Sequence, residues 1–224
     1  MYQKIINKFL IVLKLMRLHQ YVKNLFLFIP LFFVGQITNL ELFTNAFVAF
    51  IAFSITASSV YILNDYLDIE DDRKHPTKKH RPLASGLILK KPAFLLMSFL
   101  SISGLIMMAN QSIKAFIVLL IYIALNILYS LRLKHIAIVD ITIISIGFVL
   151  RIFIGAIVTE TPLSKWIVIM TFLLALFLAL AKRRDDVLHF MTTGRKMRKV
   201  IDGYNLKLID GAMVIMSSVV IVSY

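Results

Sequence analysis

An acidic segment and a basic segment follow each other at the end of a long apolar run. The acidic segment contains Asp65, Asp68 and Asp72, and the basic segment ends at Arg81. Charges at a membrane boundary cost free energy unless they are compensated, and crowded carboxylates repel one another. A bound cation is the simplest compensation, so we expect the chemistry of this chain here.

The three aspartates have the spacing of one helix face. If the preceding helix continues through them, Asp65, Asp68 and Asp72 lie at i, i+3 and i+7, within roughly 60° of one another. Asn64 stands beside them and offers a neutral oxygen. Hard oxygen ligands without His or Cys favour Mg²⁺, which prefers one or two carboxylates plus substrate phosphates. The alternative is a solvated acidic helix end that nearby Lys and Arg residues balance.

The basic segment is suited to phosphate oxygens. Lys78 can act as a point charge and Arg81 as a bidentate fork. Pro76 and Pro82 restrict the backbone around them. The alternative is topology alone, because any cytoplasmic loop of a membrane protein is rich in Lys and Arg.

A later apolar run contains three further residues of interest. Asp140, Gly147 and Arg151 stand at i, i+7 and i+11, on one helix face within roughly 20°. Asp140 and Arg151 are about 16 Å apart along the helix axis, so each needs a partner elsewhere. Gly147 would let a helix or a substrate approach closely. The alternative for Arg151 is snorkelling to the outer interface.

The composition indicates a polytopic membrane protein. The chain has 224 residues, of which 59% are hydrophobic and 17% charged, and it has no Cys. The absence of Cys, and His residues that show no paired spacing, argue against zinc chemistry. The net charge of +13 fits cytoplasmic loops that face anionic headgroups and substrates, so we expect no nucleic acid partner.

The apolar runs predict an all-α bundle with seven spans in one transmembrane domain, residues 1–224. The spans are 22–37, 43–63, 93–110, 114–131, 136–157, 165–181 and 207–224. The connections place 22 of the 25 Lys and Arg residues on one side, which the positive-inside rule makes the cytoplasm. The N-terminus is then cytoplasmic.

Three parts of this domain have distinct predicted roles. Residues 1–20 alternate apolar and basic positions at helical spacing, which predicts an interfacial amphipathic helix. Residues 64–92 form the predicted cytoplasmic catalytic loop. The seventh span reaches Tyr224 with no closing loop, so we expect the C-terminus to be truncated.

The motifs resemble those of a known family. Asn64-Asp65-x-x-Asp68-x-x-x-Asp72 is similar to the first aspartate-rich motif of the UbiA-type intramembrane prenyltransferase superfamily. The polyprenyl-phosphate phosphoribosyltransferase branch is the more similar one. The motifs that resemble this branch are Arg17-x-x-Gln20-x-x-Lys23-Asn24, His75-Pro76-x-Lys78-x-x-Arg81-Pro82, Tyr129-Ser130-x-x-Leu133-Lys134 with Asp140, and Gly147-Phe148-x-x-Arg151.

The resemblance implies a helical bundle, usually of nine spans, in a bacterial inner membrane with its site open to the cytoplasm. It implies transfer of phosphoribose from phosphoribosyl diphosphate to a polyprenyl phosphate. Asp65, Asp68 and Asp72 would then be the catalytic residues that hold Mg²⁺, with Asn64 beside them. The phosphate-binding residues would be Lys23, Lys78, Arg81, Lys134 and Arg151, and Tyr129 and Asp140 would line the pocket.

Three alternatives stay open from the sequence. An aromatic polyprenyltransferase of the same superfamily is one, although its second aspartate-rich motif would be reduced here to Asp140. An anion or lipid transporter is another, but the charges cluster at one face without a repeat. The third is an inactive fragment, since two family helices would be missing.

Overall fold

The computed structural model describes residues 2–194 and 199–223, and α-helices dominate this part of the chain. The N-terminal helices are α1 (Tyr2–Met16), α2 (Ile29–Phe33), α3 (Leu40–Leu67) and α4 (Ile69–Lys74). The later helices are α5 (Lys90–Gln111), α6 (Ile113–Leu131), α7 (Val139–Val158), α8 (Lys165–Thr193) and α9 (Leu206–Ser223). Short 3₁₀ helices lie at Leu18–Phe28, Lys78–His80, Leu133–His135 and Lys199–Gly203. The described residues form no strand, which confirms the all-α prediction.

Five of the described helices are long and apolar enough to cross a membrane: α3, α5, α6, α7 and α8. They coincide with five of the predicted spans, and α9 coincides with the seventh. The first predicted span, 22–37, is instead the 3₁₀ helix Leu18–Phe28 followed by α2, with Pro30 in the first turn of α2. Helix α8 continues past residue 181 to Thr193, and its charged second half contains the i,i+3 ion pair of Arg183 with Asp186.

Helix α3 lies at the centre of the bundle. It packs against α5, α6, α7, α1 and the 3₁₀ helix Leu18–Phe28. Small buried residues allow this close packing: Ala46, Ala49, Ala52, Ser54, Ala57 and Ser58. Gly104 on α5 lies directly against Thr56 and the carbonyl of Ala52. The central position of α3 places its C-terminal end, where the acidic segment begins, among several neighbouring elements.

Helix α1 ends at Met16, four residues before the predicted boundary. Arg17 follows in the left-handed conformation, with φ 55° and ψ 50°. Leu15 is fully buried with Ile62 of α3 and Leu100 of α5. The C-terminal end of α1 is therefore anchored in the core, and the chain turns sharply toward the end of α3.

Candidate functional site

The three predicted carboxylates lie at the junction of α3 and α4. Helix α3 ends at Leu67 and α4 begins at Ile69, so Asp68 caps both helices with φ −95° and ψ 6°. The prediction of one continuous helix through Asp72 is therefore wrong, because the helix is interrupted at Asp68. Asp65 and Asp72 are each only 2% exposed, whereas Asp68 is partly exposed.

Arg81 joins the two buried carboxylates. Its Nη1 donates to Oδ1 of Asp65 at 3.0 Å and to Oδ2 of Asp72 at 2.7 Å. Arg17 also pairs with Oδ1 of Asp65, and its guanidinium lies 5.3 Å from the centre of the Tyr61 ring. Two cationic side chains from separate parts of the chain thus neutralise a pair of buried carboxylates. Without them, burial of these charges would cost several kcal/mol of folding free energy.

Asp68 is held by a different set of residues. Lys134, in the 3₁₀ turn between α6 and α7, pairs with its Oδ1. Asn64 donates to its Oδ2 at 3.2 Å and accepts a hydrogen bond from the Ser130 hydroxyl at 3.1 Å. The end of α6 and the following turn therefore complete the site opposite the acidic segment.

The oxygen donors of this site fit Mg²⁺, although the expected convergence is not seen. Among the described residues, no three acidic or His side chains lie close enough to share a metal ion. Each aspartate pairs with a cationic side chain instead. The ion pairs of Asp65 use only Oδ1 and that of Asp72 only Oδ2, so each carboxylate has a second hard oxygen. One or two carboxylates with waters and phosphate oxygens suffice for Mg²⁺.

Arg151 is buried inside the bundle and does not snorkel. It is 4% exposed, its Nε donates to Oδ1 of Asn24 at 2.9 Å, and its Nη1 donates to the Gly147 carbonyl at 2.6 Å. The guanidinium also lies over three aromatic rings, those of Phe53, Tyr122 and Phe148. The prediction of a partner elsewhere in the bundle is confirmed for Arg151 by its hydrogen bond to Asn24.

Lys23 lies near several other cationic side chains. The positive charges of Arg151, Lys182 and Arg17 all act on Lys23. Arg17 in turn pairs with Asp65. A group of neighbouring positive charges raises the local concentration of anions, so this region favours an anionic ligand.

The structure places Lys78 on a separate turn. It begins the 3₁₀ helix Lys78–His80, and its backbone N–H donates to Nδ1 of His75 at 3.2 Å. The N–H of Thr77 donates to the same nitrogen. His75 therefore orders the backbone of this turn, and Arg81 at the end of the turn contacts Asp65 and Asp72.

Asp140 belongs to a different, fully buried network. It is 0% exposed, and Oδ2 accepts from Nε of Arg183 at 2.7 Å while Oδ1 accepts from the Tyr204 hydroxyl at 2.5 Å. Arg183 also donates to Asp186 at 3.0 Å and lies close enough to Tyr129 to interact with it electrostatically. Asp140, expected to line the pocket, is thus enclosed by α8 and the segment before α9.

Tyr204 has two hydrogen bonds through one hydroxyl group. It donates to Asp140 and accepts the backbone N–H of Ile138 at 2.8 Å. Burial, and then the hydrogen bond to Asp140, raise the pKa of Tyr204 above its ordinary value. The phenol therefore stays protonated and remains a donor to the carboxylate.

Several residues of these networks were not among the predicted site residues. They include Arg17, Asn24, Ser130, Arg183 and Tyr204. Arg17, Asn24 and Ser130 stand in motifs that resemble the family. Arg183 stands in the basic run Lys182-Arg183-Arg184, which membrane anchoring explains equally well. Nothing in the sequence couples residues 43 or 64 positions apart, as Arg183 and Tyr204 are coupled to Asp140.

The helical bundle with an acidic and cationic site at its helix ends is that of an intramembrane transferase. Residues 25–224 match the family model of the UbiA prenyltransferase family. The chain belongs to this family, and it is an integral membrane enzyme of the transferase class.

The chain is also similar to two curated relatives and, in fold, to one solved structure. The chain is 33% identical over 216 residues to the decaprenyl-phosphate phosphoribosyltransferase of Mycolicibacterium smegmatis, covering 95% of this chain and 68% of that protein. It is 31% identical over 217 residues to that of Mycobacterium tuberculosis, covering 95% and 72%. A UbiA homolog from Archaeoglobus fulgidus bound to DMAPP and Mg²⁺ has a TM-score of 0.77 at 20% identity, covering 94% of this chain and 75% of that one.

Proposed function

We propose that this enzyme transfers phosphoribose from phosphoribosyl diphosphate to a polyprenyl phosphate, with Mg²⁺, and releases diphosphate. The observation that carries the proposal is the pairing of Asp65, Asp68 and Asp72 with Arg17, Arg81 and Lys134 at one end of the bundle. Such a set provides ligands for a divalent cation next to cations for phosphate oxygens. The relatives named decaprenyl-phosphate phosphoribosyltransferase support this choice of substrates.

One or two of the carboxylates of Asp65, Asp68 and Asp72 would hold Mg²⁺, which would neutralise charge on the diphosphate. In this proposal Arg17, Arg81 and Lys134 exchange their carboxylate contacts for contacts with phosphate oxygens of the donor. Their charges are then aimed at the leaving group as the bond between the anomeric carbon and the diphosphate oxygen breaks.

The acceptor phosphate oxygen forms the new bond to the anomeric carbon, and the diphosphate leaves with the electron pair of the broken bond. An anionic phosphate is already nucleophilic at neutral pH, so the reaction needs no general base. Arg151 and Lys23, which lie in one cationic group, are suited to hold the acceptor phosphate. We place the reaction on the cytoplasmic side of a bacterial inner membrane, where a water-soluble donor meets a lipid acceptor.

The test uses purified protein in lipid nanodiscs with phosphoribosyl diphosphate, Mg²⁺ and a polyprenyl phosphate. A phosphoribosylated lipid and free diphosphate should form, and Asp68→Ala should lower the rate at least about 100-fold because it removes a cation ligand. Asp71→Ala is the matched control, since Asp71 is an exposed aspartate of the same segment.

The other outcomes distinguish the alternatives. A prenylated aromatic product from a prenyl diphosphate would assign the chain to the aromatic branch of the family. Flux of an anion across vesicles without turnover of the donor would favour transport. If the wild-type protein forms no product and transports no anion, the proposed activity of this chain is overturned.

A further inference from the structure

The turn that carries Lys134 contains a strained residue. Residues 132–138 connect α6 and α7, and Ile138 has φ 69° and ψ −48°. A β-branched residue at positive φ costs on the order of 1–3 kcal/mol and persists only when its surroundings hold it there. Ile138 is itself exposed, so its side chain is not what holds it.

Contacts from the segment before α9 hold this backbone in place. The Tyr204 hydroxyl accepts the Ile138 N–H and donates to Asp140, and Arg183 occupies the second oxygen of that carboxylate. Gly203 lies so close to the turn that a Cβ there would be 2.6 Å from the Cβ of Ala137. Tyr204 thus holds the backbone of the turn by a hydrogen bond, and Gly203 packs against the side chain of Ala137.

A rigid path leads from this contact to the site. The N–H of Ile136 donates to the carbonyl of Leu133, and the N–H of Asp140 donates to the carbonyl of Ile136, both at 3.1 Å. Lys134 lies within this hydrogen-bonded turn and pairs with Asp68. A displacement of the backbone at Ile138 therefore moves the ammonium group of Lys134 relative to the aspartate.

We infer that Tyr204 is a positioning residue, which holds Lys134 in place beside Asp68 through Asp140 and the Ile138 backbone. In this role Asp140 is an anchor for the turn and not a ligand of the substrate. The inference rests on the proposed function only where it concerns the donor: Lys134 is the group that would contact its phosphates.

The kinetic test is Tyr204→Phe, with Tyr21→Phe as the matched control. Tyr21 also has a hydroxyl hydrogen bond, 3.0 Å from Oγ of Ser58, but on a different element. Tyr204→Phe should raise the KM for phosphoribosyl diphosphate about tenfold with kcat within about twofold, because a misplaced Lys134 weakens ground-state and transition-state binding alike. Tyr21→Phe should change neither constant.

A double-mutant cycle separates positioning from general destabilisation. In a Lys134→Ala background, Tyr204→Phe should have no further effect on KM, since the group that it positions is gone. An undiminished tenfold effect in that background would overturn the inference.

A second readout needs no turnover. The chain has no Cys, so spin labels can be attached at Tyr66→Cys and Ile136→Cys, both exposed positions at the end of α3 and on the turn. Tyr204→Phe should shift or broaden the distance distribution between the labels, and so should Gly203→Ala, which keeps the phenol but displaces Ala137.

An unchanged distribution in both variants would overturn the inference, even if one of them were too unstable for kinetics. Absence of phosphoribosyl transfer by the wild-type protein, with the expected label shift in the variants, would instead overturn the proposed function and leave the positioning role of Tyr204 intact.

Discussion

Removal of Arg81 should expose how much of the stability of the site depends on one guanidinium. Its Nη1 contacts both Asp65 and Asp72, which are each 2% exposed, so Arg81→Ala leaves Asp72 without its ion pair and Asp65 with Arg17 alone. Hydrogen bonds to charged groups contribute about 1.5–3 kcal/mol each. The Arg81 side chain is itself 24% exposed, and we therefore take the lower value for each bond, which gives a loss of about 3 kcal/mol.

For a chain of this size, such a loss corresponds to a fall in Tm of roughly 6–12 °C. Thermal unfolding in detergent with a chelator measures it, with Arg73→Ala as the control. Arg73 pairs with Glu70 at the surface, where the two side chains are 52% and 75% exposed, and bonds to the Ala84 carbonyl, so its loss should cost only about 1 kcal/mol.

The effect of Mg²⁺ on the stability of wild type and of Arg81→Ala is the decisive comparison. In Arg81→Ala a divalent cation compensates both carboxylates, so Mg²⁺ should stabilise this variant more than wild type. At a free concentration ten times its Kd the stabilisation is about 1.4 kcal/mol. Equal effects of Arg81→Ala and Arg73→Ala, or equal stabilisation of wild type and variant by Mg²⁺, would refute the view that Arg81 balances a cation-binding carboxylate pair.

Two further substitutions test the packing around the site. Gly155→Ala should lower Tm strongly, because a Cβ there would collide with the backbone of Leu27, whereas Gly211→Ala meets no neighbouring atom and should be neutral or stabilising by up to about 1 kcal/mol. Arg151→Lys should cost about 2 kcal/mol by thermal unfolding, because an ammonium group cannot reproduce the guanidinium contacts to Asn24 and the Gly147 carbonyl; an unchanged Tm would contradict this account.

The spans and the acidic site were predictable because they depend on local sequence. Hydropathy identifies α3 and α5 to α8 directly, since the hydrocarbon core requires continuous apolar helices. The proximity of Asp65, Asp72 and Arg81 also follows from short separations along the chain. The 3₁₀ helix Leu18–Phe28 was missed, because apolar periodicity does not distinguish an irregular helix from an α-helical span.

The partners of the charged residues depend on tertiary packing and were not predictable. Sequence spacing placed Asp140 and Arg151 on one helix face and required a partner for each. It did not identify either partner. The structure assigns Arg183 to Asp140 and Asn24 to Arg151, from helices that meet only in the folded bundle. The pairing of Asp68 with Lys134 was equally unpredictable, since Lys134 lies on a turn 66 residues further along the chain.

The order in which these ion pairs can form follows from their separations along the chain. Arg17 precedes Asp65 by 48 residues and Arg81 follows it by 16, whereas Lys134 follows Asp68 by 66. At about 5–20 residues per second, the ribosome adds Lys134 roughly 3–13 s after Asp68. A nascent chain therefore neutralises Asp65 early, holds Asp68 with Asn64 alone, and completes the site only when the turn before α7 has been made.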